Sequence, residues 1–495
     1  MLNEEDLAGM TDEALLLALE ETDESEHVPI LAEQRRRAVD RGENGEAASL
    51  SFRIGELAKS QGNKKLLARA KYDEGSSLYD NDEYSESAQR FDDAATLYKE
   101  LGNQKSATNS LYWKASALLL LDNEEESVQA AEEAKSFAEQ ENDYALIGRS
   151  LFVKGKGLFY LKRHDEALPE LLDAVENLAI AGLANEVANV YEFLGRTLYN
   201  LDRNRDSINY LQKASIIIQN GIDEEVKKTI PELKRKISLN YYQLNEHAKC
   251  IELLEEARKE FQDAGRIDDV AFCEFDIGDS LQELDRQQES LDYFLRAETL
   301  AESVGNKRLA YRALHYRGIS HHNLGNYEEA LNLYKRLWDQ TNESKEFREF
   351  ASFAYNRSLG ALNYLERYQE VVERYEKAPK WDDFTPEPND RLVMMAHYCK
   401  ALFEVGSHDA ALRIASQGIS ESESGTWNVA IATFFEIRSK LTRESQPERS
   451  EQDLSFAISL LLASDWVQKA KELSDYFVSK AGEINKEKSI ESNGE

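Results

Sequence analysis

The chain has 495 residues, of which 41% are hydrophobic and 9% aromatic, with only 7 prolines and 24 glycines, so it has ample material for a packed interior and is not a disordered polymer. Its 93 acidic against 60 basic side chains give a formal net charge of −33, which opposes binding to phosphate backbones or anionic lipid. A single core stops growing before this length, so several domains or an elongated array are expected.

Residues 1–27 form an acidic N-terminal segment with one short helical pattern, Thr11 to Glu20, for which Thr11 is the natural N-cap. The opening MLNEEDLAGM has carboxylates where a secretory signal carries lysine or arginine. No run of about eighteen apolar residues occurs, since Ser455 and Ser459 cut the Leu454–Leu462 stretch. A cytoplasmic location is expected, without nucleic acid or membrane as partner.

From residue 28 to 424 the chain repeats itself. A first helical hairpin, about Pro29 to Ser60, is irregular, with Arg35, Arg36 and Arg37 where later copies place a small residue. The small mid-helix position then returns about every forty residues, as Gly75, Ala115, Gly155, Gly195, Ser238, Gly278 and Gly318. Twelve residues after each stands a second small residue: Ser87, Ser127, Ala167, Ser207, Cys250, Ser290 and Ala330. Weaker copies pair Arg35 with Ala47, Leu359 with Val371 and Cys399 with Ala411. A mid-helix glycine costs about 1 kcal/mol against alanine, so Gly195 and Gly278 are expected to be packing residues where a second helix approaches closely.

The joints Gly62-Asn63, Gly102-Asn103, Asn142-Asp143 and Gly182-Leu183 mostly supply residues that tolerate positive φ at a helix end. Ser238 arrives three residues late; the insertion precedes Pro231, with Thr229 as the expected N-cap. The stretch Ala378–Asp390, APKWDDFTPEPND, holds three of the seven prolines and predicts an extended loop around Trp381. Helices at about Thr426–Arg443 and Glu451–Ser479 are expected to cap the array as residues 425–482, followed by a polar tail, 483–495. The three cysteines have no close spacing, and Cys250 and Cys399 occupy small packing positions, so they read as reduced core residues.

The strings Tyr191, Leu194, Gly195, Leu198, Ser207, Leu211, Ala214 and Leu314, Gly318, Ala330, Tyr334 resemble the tetratricopeptide repeat (TPR). The usual unit has 34 residues; the longer period here is similar to that of kinesin light chains and Rap-type peptide-responsive regulators. The resemblance implies an all-α fold, a right-handed α-solenoid of about ten TPR-like helical hairpins with a C-terminal helical cap. It also implies a concave groove lined by the first helix of each unit, at positions three and six before the small residue and one, four and five after it. That rule selects Arg69, Tyr72, Asn109, Tyr112, Arg149, Phe152, Lys156, Asn189, Arg196, Tyr199, Arg235, Tyr242, Arg312, His315, His322, Asn356 and Asn363. Arginine forks and amides there can hold carboxylates and extended backbone, while the rings give apolar footing.

No catalytic residue, cofactor or metal is expected. Nucleophile elbow, Walker A, zinc-protease and dinucleotide motifs are absent. His315 and His322 would lie about 10.5 Å apart along a helix axis, too far to share one ion. The leading function is a non-catalytic scaffold binding a protein or peptide in the groove. The alternative is a peptide-responsive regulator of the Rap type, and an enzyme stands last.

Overall fold

The computed structural model describes residues 4–378, 388–422, 428–464 and 466–478. The protein is 84% helical, and the described residues contain no strand, as a helical repeat requires. It folds as two compact units, Met1–Leu253 and Leu254–Glu495.

In the first unit the Asp12–Glu21 helix is capped by Thr11, whose hydroxyl accepts from Ala14 N at 3.2 Å. Helices then pair in order: His27–Asp40 with Asn44–Ser60, Lys64–Tyr79 with Tyr84–Glu100, Gln104–Leu120 with Glu124–Glu141, Tyr144–Tyr160 with His164–Ile180, and Ala184–Asn200 with Asn204–Asn220. The short Glu224–Lys227 helix and Ile230–Gln243 follow. In the second unit the pairs are Ile267–Glu283 with Gln287–Ser303, Lys307–Asn323 with Tyr327–Thr341, Arg348–Tyr364 with Tyr368–Glu376, Pro388–Glu404 with His408–Glu421, and Asn428–Thr442 with Pro447–Leu462.

The Gly-Asn joints serve two helices at once. Gly62 takes φ +67° and lets Asn63 N reach back to Ala58 O at 2.8 Å, closing the outgoing helix. The Asn63 side chain then accepts from Leu66 N at 3.1 Å and caps the incoming one. Inside the hairpins the same left-handed position is filled by Asp82, Asp122, Lys162 and Asp202, which the residue pattern does not announce.

The small-residue register has a more specific cause than mutual nesting. The Ser87, Ser127 and Ser207 hydroxyls donate to the carbonyls of Gly75, Ala115 and Gly195 at 2.8, 2.7 and 2.7 Å, so the second small residue bonds the first helix. What fills the glycine is the residue sixteen on: Phe91 over Gly75, Leu171 over Gly155, Leu211 over Gly195, Phe294 over Gly278 and Tyr334 over Gly318. Where the first residue is Ala115, that partner is Ala131, and both are fully buried in one cluster.

Three expectations are corrected. Thr229 does precede the Ile230–Gln243 helix, but its hydroxyl donates to Val226 O at 2.7 Å instead of capping. The helix expected from Glu451 to Ser479 is two, ending at Leu462 and resuming at 467–478. The expected cap helices also repeat the hairpin contact, because Ser439 and Ser450 exchange hydroxyl-to-carbonyl bonds at 2.7 and 2.8 Å. Most of the proline-rich stretch, Trp381 included, and all of 483–495 lie outside the described residues.

Buried ion pairs join the helices. Glu74 accepts from Arg90 at 2.8 Å, and Glu274 accepts from both Arg258 at 2.8 Å and Arg296 at 2.9 Å. Cys250, Cys273 and Cys399 are buried and form no disulfide, and burial pushes the Cys399 thiol up to about 12.

Candidate functional site

Three first helices of the Met1–Leu253 unit, Tyr144–Tyr160, Ala184–Asn200 and Ile230–Gln243, bring together most of the central predicted residues. Successive units place the same helix face side by side, so residues about forty apart in sequence meet in space. Arg149 is paired with Glu186 of the next unit, its Nε and Nη2 donating at 2.8 and 2.6 Å. It is a structural clasp instead of the open anion binder expected of it.

Lys156 and Arg196 differ. Neither has an ion pair among the described residues. Lys156 Nζ lies 5.5 Å from the Phe152 ring centre and 5.3 Å from that of Phe193. The Arg196 guanidinium lies 4.6 Å from Phe193 and 4.9 Å from Phe159. Two cations therefore share one phenylalanine, whose π face attracts each. Burial, and then the Arg196 charge, lower the Lys156 pKa, and the Glu192 charge offsets only part of this, so an arriving anion would favour the charged lysine.

Beside them opens a cavity of about 430 Å³ walled by Phe159, Tyr160, Arg196, Tyr199, Lys236 and Asn240 among others. Tyr199 Oη accepts from Gln243 Nε2 at 3.1 Å, and Lys236 is held by Glu192 at 2.6 Å. Asn240 is only 2% exposed; its amide nitrogen donates to Lys236 O at 2.8 Å, while its Oδ1 has no partner. A buried carbonyl oxygen in that state calls for a donor from a bound group or water.

The other predicted residues separate into smaller groups. Asn109 donates to Tyr72 Oη at 2.7 Å, Arg69 Nε donates to both Asp73 carboxylate oxygens at 3.0 Å, and Tyr112 packs edge-on against Trp113. Asn189 is exposed, Arg235 is half-buried, and Tyr242 stacks edge-on with His247. In the Leu254–Glu495 unit, Arg312 lies 4.3 Å over Phe275 and is exposed, and Asn356 is half-buried. His322 packs against Tyr364 at 4.9 Å. His315 and Asn363 are 8% and 4% exposed, so these two are interior residues where groove side chains were expected.

The selection rule missed the position two before the small residue. Trp113, Phe193, Tyr316, Arg357 and His397 all stand there. Its signal in the sequence was partial, since Asp73, Val153, Lys236 and Asp276 fill the same position in the other units.

His315 stacks on Phe353 with ring centres 5.3 Å apart, and burial, with the Arg357 charge second, pushes its imidazole down to about 3. The folded value lies below the ordinary 6.5, so the unfolded chain takes up a proton that the folded chain refuses once the pH falls through about 6.5. Stability is therefore lost on acidification, with a His315 contribution approaching about 1.4 kcal/mol per pH unit between pH 6 and 5. Denaturant unfolding at several pH values checks this; His315→Phe, which keeps the stacked ring, should remove that much of the slope.

Among the described residues, no group of three or more His, Cys, Asp or Glu side chains could hold a metal ion, and no helix is long and apolar enough to cross a membrane.

By fold the chain is a TPR-like helical repeat protein. Among solved structures it is similar to the apo form of RapI, with a TM-score of 0.52 and 15% identity over 72% of this chain and 96% of that one. It is also similar to the apo form of the quorum sensor NprR from B. thuringiensis, with a TM-score of 0.42 and 13% identity over 69% and 97% of the two chains. A third likeness is to nearly identical kinesin-light-chain TPR-like repeats of Podosopora anserina, with a TM-score of 0.36 and 12% identity over 40% and 96%. No family model matches the chain, and no curated protein does.

Proposed function

We propose that the protein is a non-catalytic, cytoplasmic peptide-binding repeat protein. In this reading the Met1–Leu253 unit holds a partner segment bearing carboxylate and apolar side chains. One observation carries it: Lys156 and Arg196 share the Phe193 ring without a carboxylate partner, beside a 430 Å³ cavity, in a chain of net charge −33. Nearby cations that need no ligand have one already, as Arg149 has Glu186 and Lys236 has Glu192. A segment carboxylate would take charge-assisted bonds from Lys156 and Arg196, its apolar neighbour would enter between Phe159 and Tyr160, and a backbone N–H would satisfy Asn240 Oδ1.

The test is fluorescence polarisation with end-capped peptides alternating Glu or Asp with Leu or Phe, against counterparts in which lysine replaces the acid. The acidic series should bind and the lysine series should not. Lys156→Gln with Arg196→Gln should weaken binding at least tenfold at unchanged melting temperature, and Arg149→Gln far less. Equal binding of both series, or by the double variant and its parent, would overturn the reading.

A second reading is a regulator whose shape responds to the peptide. The likeness to RapI, which spans 96% of that chain, supports this at the level of fold. Small-angle scattering with and without the bound acidic peptide separates the two readings, since only a regulator needs to change its dimensions.

A further inference from the structure

The cavity of the Met1–Leu253 unit has a wall whose charge is unlike that of the chain. The residues that enclose its 430 Å³ include three cations, Lys162, Arg196 and Lys236, and no acid. In a chain of 93 acidic against 60 basic side chains, such a wall needs a reason. Three rings, Phe159, Tyr160 and Tyr199, line the same space.

The surrounding charges are mostly paired. The helix Tyr144–Tyr160 and the turn after it, 161–163, carry no acidic residue at all. On the neighbouring elements Glu192 is held by Lys236 and Glu186 by Arg149, both at 2.6 Å, while Arg203 holds Asp206 and Arg163 holds Glu166, both at 2.7 Å. Asp165, Asp202 and Glu232 remain, as do Lys234 and Arg235, and none of these lines the cavity. Glu192 cancels Lys236. The wall therefore keeps two uncompensated positive charges, Arg196 and the exposed Lys162, neither of which has an ion pair among the described residues. With Lys156 beside them the excess is three. A segment carboxylate answers one of these, and the other two match a phosphate monoester, which carries about −1.5 to −2 at pH 7.

The rest of the wall decides what bears the phosphate. A dianionic phosphate has no proton to give, so it cannot satisfy Asn240 Oδ1, which is unpartnered in a residue only 2% exposed. The ligand has to bring an N–H as well, and a peptide backbone does. Phosphoserine is too short to cover three rings, whereas phosphotyrosine lays an aromatic ring among them. Tyr199 Oη accepts from Gln243 Nε2 at 3.1 Å, which leaves its own proton to donate to a phosphoryl oxygen.

We propose that the cavity is a phosphotyrosine subsite, in which the ring lies between Phe159 and Tyr160 and the phosphoryl oxygens take charge-assisted bonds from Lys162 and Arg196. The proposal rests on the acidic-segment reading given above and adds its regulation. Phosphorylation of one partner tyrosine would turn weak capture into tight capture.

The experiment is fluorescence polarisation at constant ionic strength with one end-capped acidic peptide whose central residue is tyrosine, phosphotyrosine, 4-carboxyphenylalanine or phosphoserine. Phosphotyrosine should bind at least tenfold more tightly than tyrosine. The singly charged ring of 4-carboxyphenylalanine should fall between them, and phosphoserine should bind severalfold more weakly than phosphotyrosine. Lys162→Gln should cut the ratio of phosphotyrosine to tyrosine affinity at least fivefold. Lys213→Gln removes the same charge from over the Tyr191 and Tyr210 rings, outside the cavity, and should leave that ratio as it is. If the tyrosine peptide binds and phosphate adds nothing, the proposal fails while the acidic-segment reading stands; if neither peptide binds, both fail. An equal gain from phosphoserine, or a ratio that survives Lys162→Gln, would also overturn it. So would adenosine monophosphate displacing the labelled peptide at lower concentration than phosphotyrosine amide, which would assign the cavity to a free nucleotide.

Discussion

Asp453→Ala is expected to destabilise the C-terminal hairpin by about 3–5 kcal/mol, because it strands a buried guanidinium. Arg438 and Asp453 form a two-pronged pair, with Nε and Nη2 donating to the two carboxylate oxygens at 2.7 Å each. Their side chains are only 11% and 5% exposed. Solvent cannot re-enter to screen the arginine, and the Phe435 ring 5.3 Å from it offers only partial compensation. The pair itself is worth much less than its breakage costs, since burying both charges carries a desolvation penalty that their attraction only offsets. Replacing both by apolar residues of similar volume, Arg438→Met with Asp453→Leu, should therefore be close to neutral. The pair lies within one of the two compact units, so a local probe reads its loss most directly. Amide hydrogen exchange across residues 428–462 reports the local effect. Equal protection in Asp453→Ala and the parent would show that the pair is not closed in solution.

Gly195→Ala is expected to destabilise although alanine is the better helix former. The propensity gain is about 1 kcal/mol. Against it, the new Cβ would fall 2.5 Å from Leu211 Cγ and 2.6 Å from its Cδ2, and Leu211 is 1% exposed with nowhere to move. Overpacking of this kind costs about 1–3 kcal/mol, so the clash wins. Gly75→Ala is the contrasting case, since its Cβ would meet the Phe91 ring at 3.1–3.2 Å, which a shift of a few tenths of an ångström relieves. That variant should be nearly neutral. The Ala115 and Ala131 pair shows what compensation looks like, two alanines where other units have glycine with leucine or an aromatic. Gly195→Ala with Leu211→Ala should therefore be less destabilised than the sum of the two single variants, and thermal unfolding of all four proteins measures the coupling. Strict additivity would mean that the two residues do not share the space.

The repeat was legible before any coordinates because its cause is local. A mid-helix glycine is costly, and a costly residue recurring every forty positions has to have a packing reason; the period and the helical spacing then fix the class of fold. The Gly-Asn joints were legible for the same kind of reason, since positive φ favours Gly, and Asn after it, for local reasons. The electrostatic state of each site residue was not, because it depends on which unit stands beside it. Nothing in the sequence around Arg149 says that Glu186, thirty-seven residues on, will hold it, or that Arg196 will find only aromatic rings. The small residue twelve places on could be counted but not understood, because its serine meets a carbonyl on another helix. His315 and Asn363 read as groove residues from their register, and neighbouring helices bury them. Periodicity thus determined which face of each helix is shared between units. Which charges on that face remain open to a ligand was decided only by the approach of side chains far apart in sequence, since pairing and desolvation act over a few ångströms of space and carry no mark in the local pattern.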